Sequence, residues 1–183
     1  MLSGRCEVVS TIGALARRGL PRTLMSIDEK DPPSSPTLEQ LSRYADGFNR
    51  SLSLRFLGAR LEFPDRARLR GVLEIRPEHR GGLGTSAVNG AIIASMFDFV
   101  IGCTPALIDP SRRSATMQLS MSFERPLMGD LLIAEAWIDR AGGKTVFSSA
   151  RVLDHTGEVC ARCQGVVRFS SLPWESGESP AIN

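Results

Sequence analysis

The chain of 183 residues has little of several features that would mark a particular class of protein. Its net charge is only +2, its arginines are scattered and 6% of its residues are aromatic, so nothing indicates a nucleic-acid partner. No apolar run approaches the roughly 20 residues that a membrane span needs, so we expect no membrane association. The chain does contain 42% hydrophobic residues. At this length, that share predicts one domain with a substantial core.

Cysteine is also scarce. The four cysteines are Cys6, Cys103, Cys160 and Cys163. They make a poor disulfide framework for a chain this long, which favours reduced thiols and a cytoplasmic location. The last two have CxxC spacing, but no second pair and no nearby histidine completes a metal site. They also lie in a strand-like run, where residues three apart point to opposite faces. We therefore expect no metal and no cofactor.

The two ends of the chain differ in composition from the middle. Residues 1–25 carry four arginines and one acid, which fits either a weak targeting peptide or a natural start at Met25. Residues 31–36 are rich in proline and serine, as flexible linkers are. We predict a poorly ordered extension over 1–36, one domain over 37–172 and a flexible tail over 173–183.

Hydrophobic periodicity predicts a short helix, two strands, one long helix and a meander of four strands. Thr37 caps the first helix, which runs to about Phe48. The strands are predicted over 56–63, 66–76, 114–124, 131–139, 145–153 and 158–170. The turns between the last four are too short for parallel crossovers. The sequence therefore predicts an α+β fold, in which an antiparallel six-stranded sheet wraps around one long helix.

Residues 88–98, VNGAIIASMFD, predict an almost entirely apolar helix that carries one carboxylate, Asp98. A helix that is apolar all round is normally buried. A buried unpaired carboxylate is costly, which favours a functional role for Asp98. The alternative is a carboxylate that reaches solvent or caps a neighbouring backbone group.

Asn89 and Asp98 lie half a turn apart around the helix axis and about 13 Å apart along it, so one helix can hardly bring them together. Two helices packed antiparallel in an isologous dimer would place Asp98 of one chain against Asn89 and Gly90 of the other. The free N–H groups there, and the missing side chain of Gly90, predict an oxyanion hole. Asp98 would then act as nucleophile or general base. For Asn89 the alternative is an N-cap.

This segment is similar to the signature of the hotdog-fold acyl-CoA thioesterases of the phenylacetate-pathway type. In that signature His-Gly-Gly is followed, at the spacing seen here, by an aspartate. Gly90 and Ala91 stand at the two glycine positions and Asp98 at the catalytic carboxylate. Thr116 falls where the family has a hydroxyl residue that helps to hold water. Residues 122–126, SFERP, resemble its strand-to-turn pattern, and the similarity covers about residues 50–170.

Besides Ala91, which stands at a glycine position, the chain departs from that signature at two positions. Asn89 replaces the histidine, and an amide can orient a carbonyl or a water but cannot transfer protons as imidazole does. The asparagine that precedes the glycine loop in the family falls at Leu83 or in a gap. His79 lies near the start of this loop and is assigned no catalytic role.

The resemblance implies a hotdog fold, a homodimer that pairs again into a tetramer, and two sites at the dimer interface. It implies hydrolysis of an acyl-CoA to a free acid and CoA, without a metal. In that reaction Gly90 N–H would hold the oxyanion. Asn89 would position the thioester, and Thr116 would support the water.

Candidate substrate contacts lie at both ends of the helix. Ala91 follows the predicted oxyanion position. Arg112 and Arg113 come after the helix and could meet the phosphates of CoA, since arginine binds phosphate in a fixed fork. A solvated surface is the alternative for both arginines.

Two other functions remain open. The asparagine at the histidine position motivates a non-catalytic acyl-CoA binder or sensor on the same scaffold. A hydratase or dehydratase of the same fold is the second, but that chemistry generally pairs a histidine with a carboxylate, and the helix offers no histidine.

Overall fold

The structure, a computed structural model, describes residues 35–81 and 85–173. Most of the predicted extension, most of the predicted tail, Cys6 and Leu83 lie outside these residues. The helices are α1 (Leu38–Asn49), α2 (Leu52–Leu57) and α3 (Gly90–Cys103). The strands are β1 (Ala59–Glu62), β2 (Arg68–Glu74), β3 (Arg112–Phe123), β4 (Leu131–Gly142), β5 (Thr145–Leu153) and β6 (Val159–Pro173).

The six strands form one antiparallel sheet in the order β1-β2-β4-β5-β6-β3. Helix α3 contacts every strand from β2 to β6. Because a twisted sheet with one apolar face buries that face most completely around a rod, the helix occupies the core. The predicted α+β hotdog fold, an antiparallel six-stranded sheet wrapped around a long central helix, is confirmed.

Helix α1 begins as predicted. Thr37 Oγ1 accepts a hydrogen bond from Gln40 N–H (3.2 Å), and Gln40 Oε1 accepts one from Thr37 N–H (2.8 Å). This capping box satisfies two N–H groups that the helix start would otherwise leave unpaired. The helix then buries Leu41, Tyr44 and Ala45, which recur at helical spacing, on one face.

The predicted strand over 56–63 is wrong in its first part. Residues up to Leu57 belong to α2, in which Leu54 and Leu57 are buried at a helical spacing of three. Gly58 ends that helix with a φ of 78°, and its N–H donates to Leu54 O (2.8 Å). A left-handed residue after the last turn is a common helix end, and glycine adopts it without strain. The strand starts only at Ala59.

The predicted meander of the last four strands is also wrong at one connection. Strand β3 pairs with β6 at the edge of the sheet, not with β4. The connection over 124–130 is too long to force a hairpin. Instead it runs along the end of the sheet. At its start, the N–H groups of Glu124 and Arg125 donate to the carbonyl of Cys160. At its end, Asp130 O accepts a hydrogen bond from Ile75 N–H (2.9 Å). Leu127, in the middle of this connection, is fully buried and closes that end of the core.

Helix α3 is not buried all round, and Asp98 is exposed in the single chain. Ile93, Met96, Phe97, Val100 and Ile101 are buried against the sheet. Gly90, Ala91 and Asp98 are exposed, with Ser95 half-buried between them. The sheet therefore covers only part of the helix. The uncovered face could not be recognised in the sequence, because the small residues on it also count as apolar or weakly polar.

The segment Gly90–Leu107 is, by length and a mean hydropathy of 1.6, apolar enough to cross a membrane. This corrects the expectation that no apolar run approaches a membrane span. The fold buries 56% of the segment, which comprises α3 and the 3₁₀ turn Thr104–Leu107. Packing inside a wrapped sheet accounts for its composition.

Candidate active site

Asp98 and Thr116 line the same cavity, which has a volume of about 360 Å³ and lies between α1, α3 and the start of β3. The other lining residues are Tyr44, Phe48, Phe99, Gly102, Cys103 and Ser114. Gly102 follows Asp98 by one helical turn, and a Cβ at Gly102 would lie 3.0 Å from Thr116 Oγ1. The small residue lets the threonine hydroxyl approach the helix on the side that carries Asp98.

The N-terminus of α3 presents one N–H toward the surface. Asn89 is the N-cap, and its Oδ1 accepts a hydrogen bond from Ala91 N–H at 2.8 Å. The N–H groups of Ile92 and Ile93 both donate to the carbonyl of Asn89. Within residues 35–81 and 85–173, Gly90 N–H is the one in this first turn with no hydrogen-bond acceptor. Gly90 is exposed and has no side chain to cover that N–H.

Asn89 is held in place from both sides. Its Nδ2 donates to Gly81 O (3.2 Å), and its backbone N–H donates to the carbonyl of His79 (2.9 Å). An amide nitrogen carries two N–H bonds, so Gly81 uses one of them. Asn89 is thus an N-cap, the alternative that the sequence left open, with one further donor on its side chain.

His79 supports this helix start and takes no part in the cavity that Asp98 lines. It is buried at the end of a 3₁₀ turn, and its Nδ1 accepts a hydrogen bond from Arg76 N–H at 3.1 Å. Burial, together with the nearby Arg76 cation, lowers the pKa of the imidazole because both disfavour the charged ring. The neutral ring is the form that can accept from Arg76.

Gly90 lines a second cavity, of about 330 Å³, at the other end of α3. Phe123, Glu124 and Arg125 line the same cavity, and a Cβ at Gly90 would lie 3.5 Å from the Phe123 ring. Asp98 lies eight positions after Gly90 in the helix, about 12 Å further along the axis. The single chain therefore brings Asp98 together with Thr116 and leaves Gly90 at a separate cavity, as the helix geometry predicts. Asn89 precedes Gly90 but does not line that cavity.

Sequence reasoning missed three polar residues that lie deep in the cavity beside Asp98. The hydroxyl of Tyr44 hydrogen-bonds to the side chains of Cys103 and Ser114, and Ser114 Oγ donates to Gly102 O at 2.7 Å. Burial raises the pKa of Tyr44 and raises that of the Cys103 thiol to about 12, so both stay protonated at neutral pH. The period of two between Ser114 and Thr116 could have indicated the serine. No sequence pattern indicated that α1 would bring the only tyrosine of the chain here.

The predicted substrate contacts lie apart from one another. Arg112 stacks over the Phe169 ring at 4.4 Å, and its Nη2 donates to Ser170 O (3.2 Å). Arg113 is exposed at the start of β3. Ala91 is exposed at the other end of α3, where its N–H is used by the Asn89 cap.

The cysteines of the CxxC motif are buried and free. Cys160 Sγ lies 4.0 Å from Pro126 O, under the connection from β3 to β4. Burial raises the pKa of both thiols, to about 11 for Cys163. They are therefore poor nucleophiles at neutral pH. Over the part of the chain that the structure describes, no cluster of metal-ligating side chains occurs.

Comparisons with known proteins agree with the fold. Residues 86–161, which run from just before α3 into β6, match the family model of the thioesterase superfamily. The sequence resemblance to the hotdog-fold thioesterases is thereby confirmed. No curated protein matches the chain.

Several solved structures share the architecture. A protein from Shewanella oneidensis related to the thioesterase superfamily aligns with a TM-score of 0.66 and 19% identity, over 72% of this chain and 96% of that one. The E. coli PaaI protein from the phenylacetic acid degradation operon aligns with a TM-score of 0.66 and 15% identity, over 75% and 99%. A thioesterase from Haemophilus influenzae gives 0.63 and 11%, over 74% and 92%. At these identities the similarity shows a shared fold.

Proposed function

We propose that this protein is a thioesterase that hydrolyses an acyl-CoA to a free acid and CoA, at two equivalent sites formed between two copies of the chain. One observation supports this most directly. The same helix carries an exposed carboxylate, Asp98, and an exposed N-terminal N–H, that of Gly90, which has no acceptor among the described residues. Ester cleavage needs these two groups: one to deliver oxygen to the carbonyl carbon and one to stabilise the oxyanion.

The proposed reaction uses groups from both copies. Asp98 either attacks the carbonyl carbon itself or takes a proton from a water that attacks it. The C=O electron pair moves onto oxygen, where Gly90 N–H and the positive end of α3 stabilise the charge. When the carbonyl reforms, the C–S bond breaks and CoA leaves as a thiolate. Direct attack by Asp98 leaves an anhydride that water then hydrolyses.

Asn89 and Thr116 have supporting roles in this proposal. The second N–H on Asn89 Nδ2 can donate to the thioester oxygen beside Gly90. Thr116 Oγ1, which lies next to Gly102 and in the same cavity as Asp98, can hold the attacking water. Neither role requires a proton to be transferred by Asn89.

A second copy of the chain is the partner that this site needs. Gly90 and Asp98 lie about 12 Å apart along one helix, so a thioester cannot touch both in one chain. Strand β3 pairs only with β6 among the described strands and exposes Met117 (63%), Met121 (36%) and Phe123 (55%) beside α3. An open edge with exposed apolar side chains favours association. Two copies related by a twofold axis would cover this surface and place each Asp98 near the other Gly90.

The test is thiol release from a panel of acyl-CoAs by the wild-type protein and by Asp98→Ala. We expect release by the wild type and a fall of about 10²–10⁴-fold in kcat for the variant, the usual contribution of a general base. Ser95→Ala is the matched control, since Ser95 lies one turn earlier on the same face and its hydroxyl donates to Ala91 O (2.9 Å). An Asp98→Ala protein as active as Ser95→Ala would contradict the proposal.

A second candidate function is an acyl-CoA binder that releases no thiol. The observation that favours it is that Asn89 caps the helix through its amide, which cannot transfer a proton as the histidine of the family does. Equilibrium binding of acyl-CoA without thiol release from any member of the panel would select this function.

A further inference from the structure

We propose that the cavity beside Asp98 receives the acyl arm of the thioester and that Tyr44 forms its inner end, so that Tyr44 limits the length of acyl chain that is hydrolysed. The inference rests on the proposed function, because it assigns one arm of the substrate to the same site. It names the substrate class as neutral acyl groups of limited length.

The lining of the cavity decides which arm enters it. No arginine or lysine is among its lining residues in the described part of the chain, and the exposed Asp98 adds a carboxylate to that lining. The phosphates of the CoA arm would lose hydration there without gaining a cation, which is costly. A carboxylate at the end of an acyl chain would meet the same penalty. A neutral acyl chain meets none of it.

The cavity beside Gly90 suits the other arm. Glu124 and Arg125 line it, and both are paired with neighbours at the surface, Glu124 with Arg162 (3.1 Å) and Arg125 with Glu158 (2.9 Å). The side chain of Arg125 is about half-exposed. Such a surface lets the CoA arm keep its hydration as it leaves toward solvent.

Tyr44 is held as a fixed wall. Its ring stacks on Phe48 with centroids 6.2 Å apart and meets Phe63 edge-on at the same distance. Its hydroxyl hydrogen-bonds to Ser114 and to Cys103, which is buried and also lines the cavity. A ring held by two aromatic neighbours and at its tip cannot swing aside at low cost. An acyl chain that passes Asp98 and Thr116 therefore ends against this ring.

The experiment measures kcat/KM on straight-chain acyl-CoAs from acetyl-CoA to palmitoyl-CoA. Tyr44→Ala opens space continuous with the cavity, so we expect kcat/KM to rise at least about tenfold for chains longer than the wild-type limit. Tyr44→Phe keeps the ring and should keep the wild-type limit. Tyr44→Leu shortens the wall but preserves an apolar core, and it gives the same test if Tyr44→Ala does not fold.

Leu41→Ala is the matched control. Leu41 lies one turn before Tyr44 on the same buried face of α1, is fully buried, and does not line the cavity. Its truncation loosens the core to a similar degree but should not change the length limit. An equal shift in Leu41→Ala would overturn the inference, because general loosening would then explain the result.

A measurement on the wild type alone tests the charge argument. Butanoyl-CoA and succinyl-CoA have acyl chains of the same length, but succinyl-CoA ends in a carboxylate. We expect kcat/KM to be at least about tenfold higher for butanoyl-CoA. Equal values, or Tyr44 variants that fold and hydrolyse with the wild-type limit, would overturn the inference while Asp98-dependent hydrolysis stands. A wild type that hydrolyses no acyl-CoA would instead overturn the proposed function, and the inference with it.

Discussion

Asn89 Oδ1 accepts the N–H of Ala91 at 2.8 Å, and this single hydrogen bond decides which amide at the start of α3 remains available. With Ile92 and Ile93 bonded to the Asn89 carbonyl, the cap leaves Gly90 N–H as the outward donor among the described residues. In the proposed site this N–H is the group that would stabilise the oxyanion, and Asn89 would contribute by capping the helix without acting as a base.

Gly90→Ala should separate stability from activity. The φ of Gly90 is not positive and a Cβ there meets only the Phe123 ring at 3.5 Å, so the fold accommodates it. Alanine favours a helix more than glycine does, so the free energy of unfolding should stay the same or rise by up to about 1 kcal/mol. The methyl group crowds the N–H, so kcat/KM should fall about tenfold or more. Denaturant unfolding and thiol release measure the two quantities.

Gly165→Ala is the matched control for that prediction. A Cβ at Gly165 would lie 2.4 Å from the Ile101 side chain and 3.3 Å from Gln118 O. We expect this variant to lose stability, because the core must shift to accommodate the methyl group. If Gly90→Ala were the less stable of the two, or kept full activity, the assignment of Gly90 would be wrong.

Thr116→Val should lower kcat and leave stability nearly unchanged. Valine keeps the shape of the side chain and its strand propensity, but removes the hydroxyl that faces the Asp98 cavity. Thr104→Val makes the same chemical change where the hydroxyl bonds to Ser148 (2.7 Å) and Ile101 O (2.8 Å) in the core. That variant should lose about 1–3 kcal/mol of stability. Thermal unfolding and steady-state kinetics on both distinguish a role in the reaction from a role in the fold.

Stability should fall as the pH drops below about 6.5, the ordinary pKa of histidine. Burial and Arg76 lower the pKa of His79 in the fold, so below pH 6.5 the unfolded chain binds a proton that the native chain resists. The unfolded state is then favoured, and the loss grows until the pH reaches the folded pKa. Denaturant unfolding between pH 7.5 and pH 5 measures it.

His79→Asn should reduce the change of stability with pH, because the amide oxygen of asparagine can accept a hydrogen bond from Arg76 N–H without titrating. If the stability of His79→Asn fell between pH 7.5 and pH 5 as steeply as that of the wild type, the responsible proton would lie elsewhere.

The sequence predicts most of the fold because hydrophobic periodicity and the residues that cap helices or form turns act over a few neighbouring positions. The cap at Thr37 and the strand over 145–153 each depend on residues that are close together along the chain, and both predictions are confirmed. The predictions are wrong where tertiary contacts determine the structure. Leu54 and Leu57 pack as a helix, although the residues after them suit a strand. Strand β3 pairs with β6 because the sheet curls, which no local pattern encodes.

The same distinction between local sequence and tertiary packing applies to the candidate site. Asp98 and Thr116 belong to elements that the sequence places side by side, and the structure brings them to one cavity. The exposure of Asp98 could not be predicted, because hydropathy does not report which face of a helix the sheet leaves open. Tyr44 was missed because its position at the cavity depends on how α1 packs.

The central claim, that each site takes Asp98 from one copy and Gly90 from the other, is tested most directly by complementation. Asp98→Asn and Gly90→Val, each inactive as a homodimer, are produced together with different affinity tags. Random pairing makes half of the dimers mixed, and each mixed dimer has one site with both wild-type groups, so about a quarter of wild-type thiol release should return. No recovered activity in isolated mixed dimers would contradict the account.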